Sequence, residues 1–491
     1  MNSQKNRFIR LLQSQRFGVV AFTFLTAVTA VVLCLPGGTH GTPILPVHPP
    51  TPLPSVDRVV VSGSIGQPKV VQGSEGVVAL QLSVQTPAGG SSESDARPTD
   101  FVVVLDRSGS MGAANKLPFA KEAIVALLER LRPVDRFGLI TFDHFASAAI
   151  PFGEVTPASR EAYATLVRSL QPGGATNISH GLEVARSMLA SAASDRLQKV
   201  ILLSDGEATA GDTSREGLLA LTRSMVNTDI STSTIGLGLG FNETLLAELA
   251  DHGQGAYGYL EHLGGLSDLL VRTLEQTRSV YAAKSTVTLQ LGEGVRLVDA
   301  AGYPTEQVDG NAISLATGSL LSSGLKTMIL TLAVPTAELG EQALGSVTVR
   351  YVRDGAEQQT TLDDALKVAV VSEAHRSEAV ASMDSGVVKR TWLANNFGRM
   401  QKELQQWVRE GNEASARQVL EKYLSDAEAA APAGSAVGDE LRVELAPQVA
   451  EMESKLEQAF SGNAARQREQ QNRVAKELLS ESRGNLGKAT Y

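Results

Sequence analysis

Residues from Phe101 to about Tyr281 read as an α/β domain with a doubly wound, mostly parallel sheet. This domain is inserted in or flanked by an antiparallel β-sandwich and followed by a C-terminal α-helical region. Three observations predict this. Short apolar runs such as Phe101-Val102-Val103-Val104-Leu105 and Val200-Ile201-Leu202-Leu203 alternate with helix-length segments, the pattern of strands covered on both faces. Strand-like alternation stands on both sides of that unit, in Val77-Val78-Ala79-Leu80-Gln81-Leu82-Ser83-Val84 and in Thr286-Val287-Thr288-Leu289-Gln290-Leu291. Beyond His375 the chain turns Ala-, Glu- and Gln-rich with apolar residues at helical spacing.

The chain has 491 residues, 43% of them hydrophobic, which is core material for roughly three domains. Residues 1–36 carry Lys5, Arg7, Arg10 and Arg16 with no acid, followed by an uncharged, largely apolar stretch from Phe17 to Pro36. That is a signal peptide or a membrane anchor. Thr39 and Gly41 are small enough for cleavage before Thr42, and the apolar stretch is close to the roughly 20 residues that span a bilayer. Cys34 follows Leu33, a poor match to a lipidated cysteine. With either fate the positive flank keeps the N-terminus inside, so the remainder lies outside the cytoplasm, secreted or membrane-anchored. Cys34 is the single cysteine, so the exported part rests on core burial without an intramolecular disulfide, which suits a bacterial envelope protein. The formal net charge is −9, and near −13 once the four N-terminal positive charges are set aside, which disfavours nucleic acid as a partner.

Residues 37–56 form a Pro-rich linker that holds the folded part off the membrane. Residues 57–98 supply strands of the flanking sandwich and end in the Gly/Ser-rich break Ala88 to Ser94. The α/β domain occupies 99–281, with strands expected at 101–106, 136–142, 145–151, 199–204, 230–236 and 256–260. Helices are expected at 114–131, 158–169, 178–193, 214–227, 241–251 and 264–280. Asp143 and His144 leave room only for a hairpin, which makes the third strand an antiparallel edge. Residues 283–371 complete the sandwich, and 375–491 form the helical region, with a break from Ala430 to Gly438. Separate β modules are the alternative to one interrupted sandwich.

Three fragments carry the chemistry: Asp106-Arg107-Ser108-Gly109-Ser110 after the first apolar strand, Thr176 in Gly173-Gly174-Ala175-Thr176-Asn177, and Asp205 closing Val200 to Ser204. A doubly wound sheet brings such loops to its carboxyl edge, near the point where strand order reverses. Two carboxylates and three hydroxyls are hard oxygen donors, and few direct carboxylate bonds leave a divalent ion open to an incoming ligand. Gly109, Gly173, Gly174 and Gly206 are expected to give these loops their turning freedom.

This set resembles the metal-ion-dependent adhesion site (MIDAS) of von Willebrand factor type A (VWA) domains, whose fold is Rossmann-like, and it is complete. The resemblance implies Ser108, Ser110 and Thr176 as direct metal ligands, with Asp106 and Asp205 contacting the ion directly or through water. It implies Mg²⁺, with Mn²⁺ or Ca²⁺ as alternatives, and a protein partner that supplies an Asp or Glu carboxylate. The flanking β segments are similar to bacterial exported members related to the calcium-activated chloride channel and inter-alpha-inhibitor heavy chain groups. None of the seven histidines forms a His-Glu-Xaa-Xaa-His zinc protease motif.

Other chemistries fit worse. Phosphatases that place an Asp after the first strand need a second acid two residues on, where Ser108 stands; a calcium-binding helix-loop-helix needs Glu where Leu117 stands. Gly236-Leu237-Gly238-Leu239-Gly240 departs from dinucleotide-binding spacing. The glycosylation-type triplets at Asn177 and Asn242 are read as incidental. His180 is expected to be solvent-facing or packed on its helix, and residues 464–483 to pack in the helical core, with partner binding as the alternative. The resulting expectation is a non-enzymatic, metal-dependent, adhesion-type protein of the cell envelope, which also contacts the membrane through the N-terminal segment if that is uncleaved. The alternative is an assembly component of an envelope complex in which the metal only stabilises the loops.

Overall fold

The computed structural model describes residues 56–87, 98–190, 196–392, 396–430 and 436–485. The expectations for the leader, nearly all of the linker and the Gly/Ser-rich break fall outside these residues. Strands β1 (Val60–Ile65), β2 (Lys69–Val71) and β3 (Val77–Gln85) come first. The α/β unit follows: β4 (Thr99–Asp106), α1 (Lys116–Arg130), β5 (Arg136–Phe142), β6 (Ala146–Glu154), α2 (Pro157–Ser169), α3 (Ile178–Ala190), β7 (Leu197–Ser204), α4 (Arg215–Asn227), β8 (Ile230–Leu237), α5 (Glu243–His252), β9 (Gln254–Leu260) and α6 (Leu266–Arg278). Next are β10 (Val280–Leu291), β11 (Arg296–Asp299), β12 (Thr305–Asp309), β13 (Ala312–Leu321), β14 (Leu325–Ala333), β15 (Gly340–Arg353), β16 (Ala356–Thr361) and β17 (Leu366–Val371). The chain closes with α7 (Arg376–Ala381), α8 (Ser385–Trp392), α9 (Gly398–Arg409), α10 (Glu413–Ala430), α11 (Ala436–Ala459) and α12 (Ala464–Asn485).

The α/β sheet has the order β6-β5-β4-β7-β8-β9, parallel throughout except for β6, which pairs antiparallel with β5 at the edge. Every residue of β4 and β7 is buried. Along β4 the side chains divide by period two: Phe101, Val103 and Leu105 join a core with α1 and α6, while Val102 and Val104 join a core with α3, α4 and α5. That two-sided burial is why these strands carry uninterrupted apolar runs. Helix starts are set by side chains: Thr156 and Ser159 form a capping box on α2, and Ser214 and Asn242 accept from the backbone of α4 and α5.

The remaining strands make two sheets, β1-β3-β14-β11 and β12-β13-β10-β15-β17-β2, with β16 beside β15. Val78, Leu80, Leu82 and Val84 of β3 meet Val287, Leu289, Val347 and Val349 in one core between them. Strands from before and after the α/β unit thus build a single sandwich, since β3 pairs with both β1 and β14.

In the helical region, Leu404, Val408, Leu420, Met452, Leu456, Val474 and Leu478 share a core. The stretch from Leu441 to Leu479 is two helices, separated around Gly462, whose φ of 91° favours glycine. Helix α12 also faces the α/β unit. Lys476 Nζ lies 2.8 Å from Glu243 and 3.1 Å from the Phe241 carbonyl, Arg473 grips Glu261 at 2.6 Å, and Arg483 reaches Asp251 at 2.8 Å.

Candidate metal centre

The carboxyl ends of β4 and β7 lie side by side at the reversal of strand order, because the chain leaves β4 for β5 and β6 on one side and returns to β7 on the other. Asp106 is the last residue of β4, and Ser204 is the last of β7, with Asp205 next. Both carboxylates are buried, at 0% and 1% exposure. Asp106 accepts from the Ser204 hydroxyl at 2.6 Å and from the Ser108 amide at 2.8 Å. Ser110 donates to Asp205 at 2.8 Å, and the Ser108 and Ser110 hydroxyls are 3.0 Å apart. A methyl group placed on Gly206 would sit 3.5 Å from Thr176 Oγ1 and 3.8 Å from Ser110 Oγ, so Thr176 belongs to the same cluster. All five residues singled out in the sequence are therefore brought together.

The loops are tied by their backbones. Gly109 donates to the Gly174 carbonyl at 2.9 Å and Gly173 to the Arg107 carbonyl at 2.5 Å, while Thr176 and Thr209 exchange bonds at 2.9 Å. The expected role of the glycines needs correcting. None of Gly109, Gly173, Gly174 and Gly206 has a positive φ; left-handed residues nearby include Ala114, Asn115 and Gly211. What matters at Gly173 and Gly174 is close approach, since a Cβ there would lie 2.2 Å from Asp143 Oδ2 and 2.1 Å from the His144 ring.

Lys116, at the start of α1, was not legible as part of the site. Its Nζ lies 2.5 Å from Asp205 Oδ2, with 13% of the side chain exposed. Only its position, one turn beyond the Ser110 loop, hinted at this. Among the described residues no group of three or more His, Cys, Asp or Glu side chains could hold a metal, so an ion here would depend on hydroxyls and two carboxylates. Two carboxylates against one ammonium leave a buried charge of −1, which a divalent cation would convert to +1. The donor set fits a hard cation that retains appetite for another anion.

Residues 101–207 match the von Willebrand factor type A domain family. The chain carries a VWA domain. An uncharacterized Synechocystis protein is 26% identical over 301 residues, covering 59% of this chain and 70% of its own. Human inter-alpha-trypsin inhibitor heavy chain H4 is 32% identical over 162 residues, 31% of this chain but only 17% of the heavy chain. The solved VWA protein of Catenulispora acidiphila superposes with a TM-score of 0.65 at 16% identity, over 83% of this chain and 91% of that one, a likeness of fold.

Several side chains near the VWA site hold backbone. His180 Nδ1 accepts from the Ala146 amide at 3.0 Å, and Asn177, 8% exposed, donates to the His144 carbonyl at 2.9 Å. In the glycine series after β8, Gly236 makes room for the Phe241 ring and Gly238 takes a φ of 75°, so packing and turning account for it. Glu207, two residues past Asp205, meets Arg409 of α9 at 3.6 Å, which links the loop after β7 to the helical region.

Burial pushes the Asp106 carboxyl up from 3.8 to about 6, with the Asp205 charge adding to it and hydrogen bonds from Ser204 and Ser108 opposing. A carboxyl raised on folding takes up a proton in the folded state. In chelator, the contribution of this carboxyl to stability should therefore be full below pH 3.8 and fall as pH rises to about 6. The loss amounts to up to about 3 kcal/mol. Asp106→Asn, uncharged throughout, should melt above wild type at about pH 7 and level with it at about pH 4, as read by circular dichroism in chelator. Equal melting at both pH values would contradict the buried-charge account.

Proposed function

We propose that this is a non-enzymatic, adhesion-type binding protein of the cell envelope that recognises an acidic side chain of a protein partner through a divalent cation. Domains of this family commonly mediate adhesion and protein interaction. The observation that supports the reading is the cluster of two buried carboxylates and three hydroxyls at the switch point, left one negative charge in excess. Ser108, Ser110 and Thr176 would be direct ligands, with Asp106 and Asp205 bonding directly or through water. Mg²⁺, or Mn²⁺ or Ca²⁺ in its place, would supply an electrophilic position for the partner's carboxylate. Lys116 keeps Asp205 oriented, and the Ser204 hydroxyl and Ser108 amide keep Asp106 oriented.

Export is supported by the basic, then apolar N-terminal sequence. Among the described residues no helix is long and apolar enough to cross a membrane. The second reading, an assembly component with a structural metal, is favoured by the Glu207 to Arg409 link and the docking of α12.

A pull-down from envelope extract separates the two, using wild type with Mg²⁺, wild type in chelator, and Asp106→Ala with Mg²⁺. The expected result is a protein retained by wild type with metal and lost in the other two. Equal retention in all three would move the interaction to the sandwich or the helices and leave the ion a structural role.

A further inference from the structure

At the opposite, amino edge of the VWA sheet, a cavity of about 350 Å³ lies against the sandwich. It is walled by the starts of β7, β8 and β9 with α6 on one side, and by β13 and the turn into β14 on the other. Two lysines line it. Lys199 of β7 is 8% exposed and has no hydrogen-bond or ion-pair partner among the described residues. Lys326 of β14 donates to the Thr317 carbonyl and faces the Ser319 carbonyl at 3.5 Å, with no carboxylate among its described partners. The acid on the cavity wall, Asp251, is already engaged by Arg483 at 2.8 Å.

Buried ammonium groups are expensive unless an anion compensates them, and two of them facing one cavity make an incomplete arrangement. Burial pushes both lysines down from 10.5 to about 8, which still leaves them mostly charged at neutral pH. The rest of the wall is largely apolar, including Leu320, Leu325 and the ring of Tyr303. The volume is that of a small-molecule site.

We propose that this cavity binds a small organic anion, a monocarboxylate with an apolar body, its carboxylate paired with Lys199 and Lys326 and its body against Leu320, Leu325 and Tyr303. Such a ligand would bridge the VWA domain and the sandwich, because the lysines come from different sheets. The site stands apart from the metal centre and does not depend on it.

The test is calorimetric titration of the full chain with benzoate, hexanoate and 3-phenylpropionate, then with 3-phenylpropionamide and inorganic phosphate. At least one carboxylate should bind. The amide should bind about tenfold more weakly, and Lys199→Met and Lys326→Met should each weaken the carboxylate about tenfold, the scale of one charge-assisted hydrogen bond. Lys199→Met should melt at or above wild type without ligand, since it removes an unpaired buried charge, whereas Lys326→Met also takes a donor from the Thr317 carbonyl; Lys199→Gln and Lys326→Gln replace any that fails to fold. Absence of binding by all three carboxylates overturns the proposal. So does phosphate binding without carboxylate binding, equal affinity for acid and amide, or undiminished affinity in both lysine variants.

Discussion

Asp205→Ala is expected to abolish divalent-cation binding and also to cost the metal-free protein about 3 kcal/mol, the low end for stranding one partner of a buried ion pair. Lys116 Nζ stands 2.5 Å from Asp205 Oδ2, with side chains 13% and 0% exposed, so removing the carboxylate leaves the ammonium without its counter-charge. The Ser110 hydroxyl loses its acceptor at the same time. Asp106 differs: its neighbours are a hydroxyl and an amide, and losing its charge relieves a burial penalty. The two aspartates should therefore behave alike toward metal and oppositely in chelator. Titration calorimetry with Mg²⁺ and urea denaturation in chelator check both halves. Adding Lys116→Met to Asp205→Ala should recover most of the lost stability. If Asp205→Ala is as stable as wild type, Lys116 is not held as described.

Lys476→Met should cost about 3 kcal/mol, because it takes from Glu243, in the buried seam between α12 and α5, its hydrogen-bonded ammonium and leaves only the more distant Arg409 guanidinium as counter-charge. The pair is 2% and 3% exposed, and Lys476 also lies 4.0 Å above the Phe241 ring and 3.1 Å from the Phe241 carbonyl. Gln405 still donates to Glu243 at 3.0 Å without bringing charge, and the Arg409 guanidinium stands 3.8 Å away. The double variant Lys476→Met with Glu243→Gln should regain much of the loss, since neither partner then carries an unpaired charge. Urea denaturation gives the energies, and limited proteolysis should release the helical region from the single variant first. Unaltered proteolysis and stability in Lys476→Met would mean that the helices dock without help from this pair, through apolar contacts and the Arg473–Glu261 and Arg483–Asp251 pairs.

The sheet was legible because strands buried on both faces must be apolar at consecutive positions, and β4 and β7 are. The cluster of oxygen donors was legible in part because they sit at strand ends, where topology alone brings them together. Asp106, Ser108, Ser110, Thr176 and Asp205 could be named for that reason. Lys116 could not, since a lysine opening a helix is ordinarily solvated, and its bond to Asp205 exists only once α1 is packed. Gly173 and Gly174 illustrate the same limit: their need for glycine comes from Asp143 and His144 pressing on them, and not from their own dihedral angles.

The sequence by itself determined the α/β architecture, the order of its elements and the oxygen-rich cluster at one edge of the sheet. These follow from local periodicity and from the rule that parallel strands share a carboxyl edge. Only the tertiary structure decided that segments on both sides of the VWA domain close one sandwich, that α12 fastens to α5 through a buried ion pair, and that Lys199 and Lys326 face one cavity. Each of these joins residues far apart in the chain, and their charges and exposures are set by the neighbours that folding supplies.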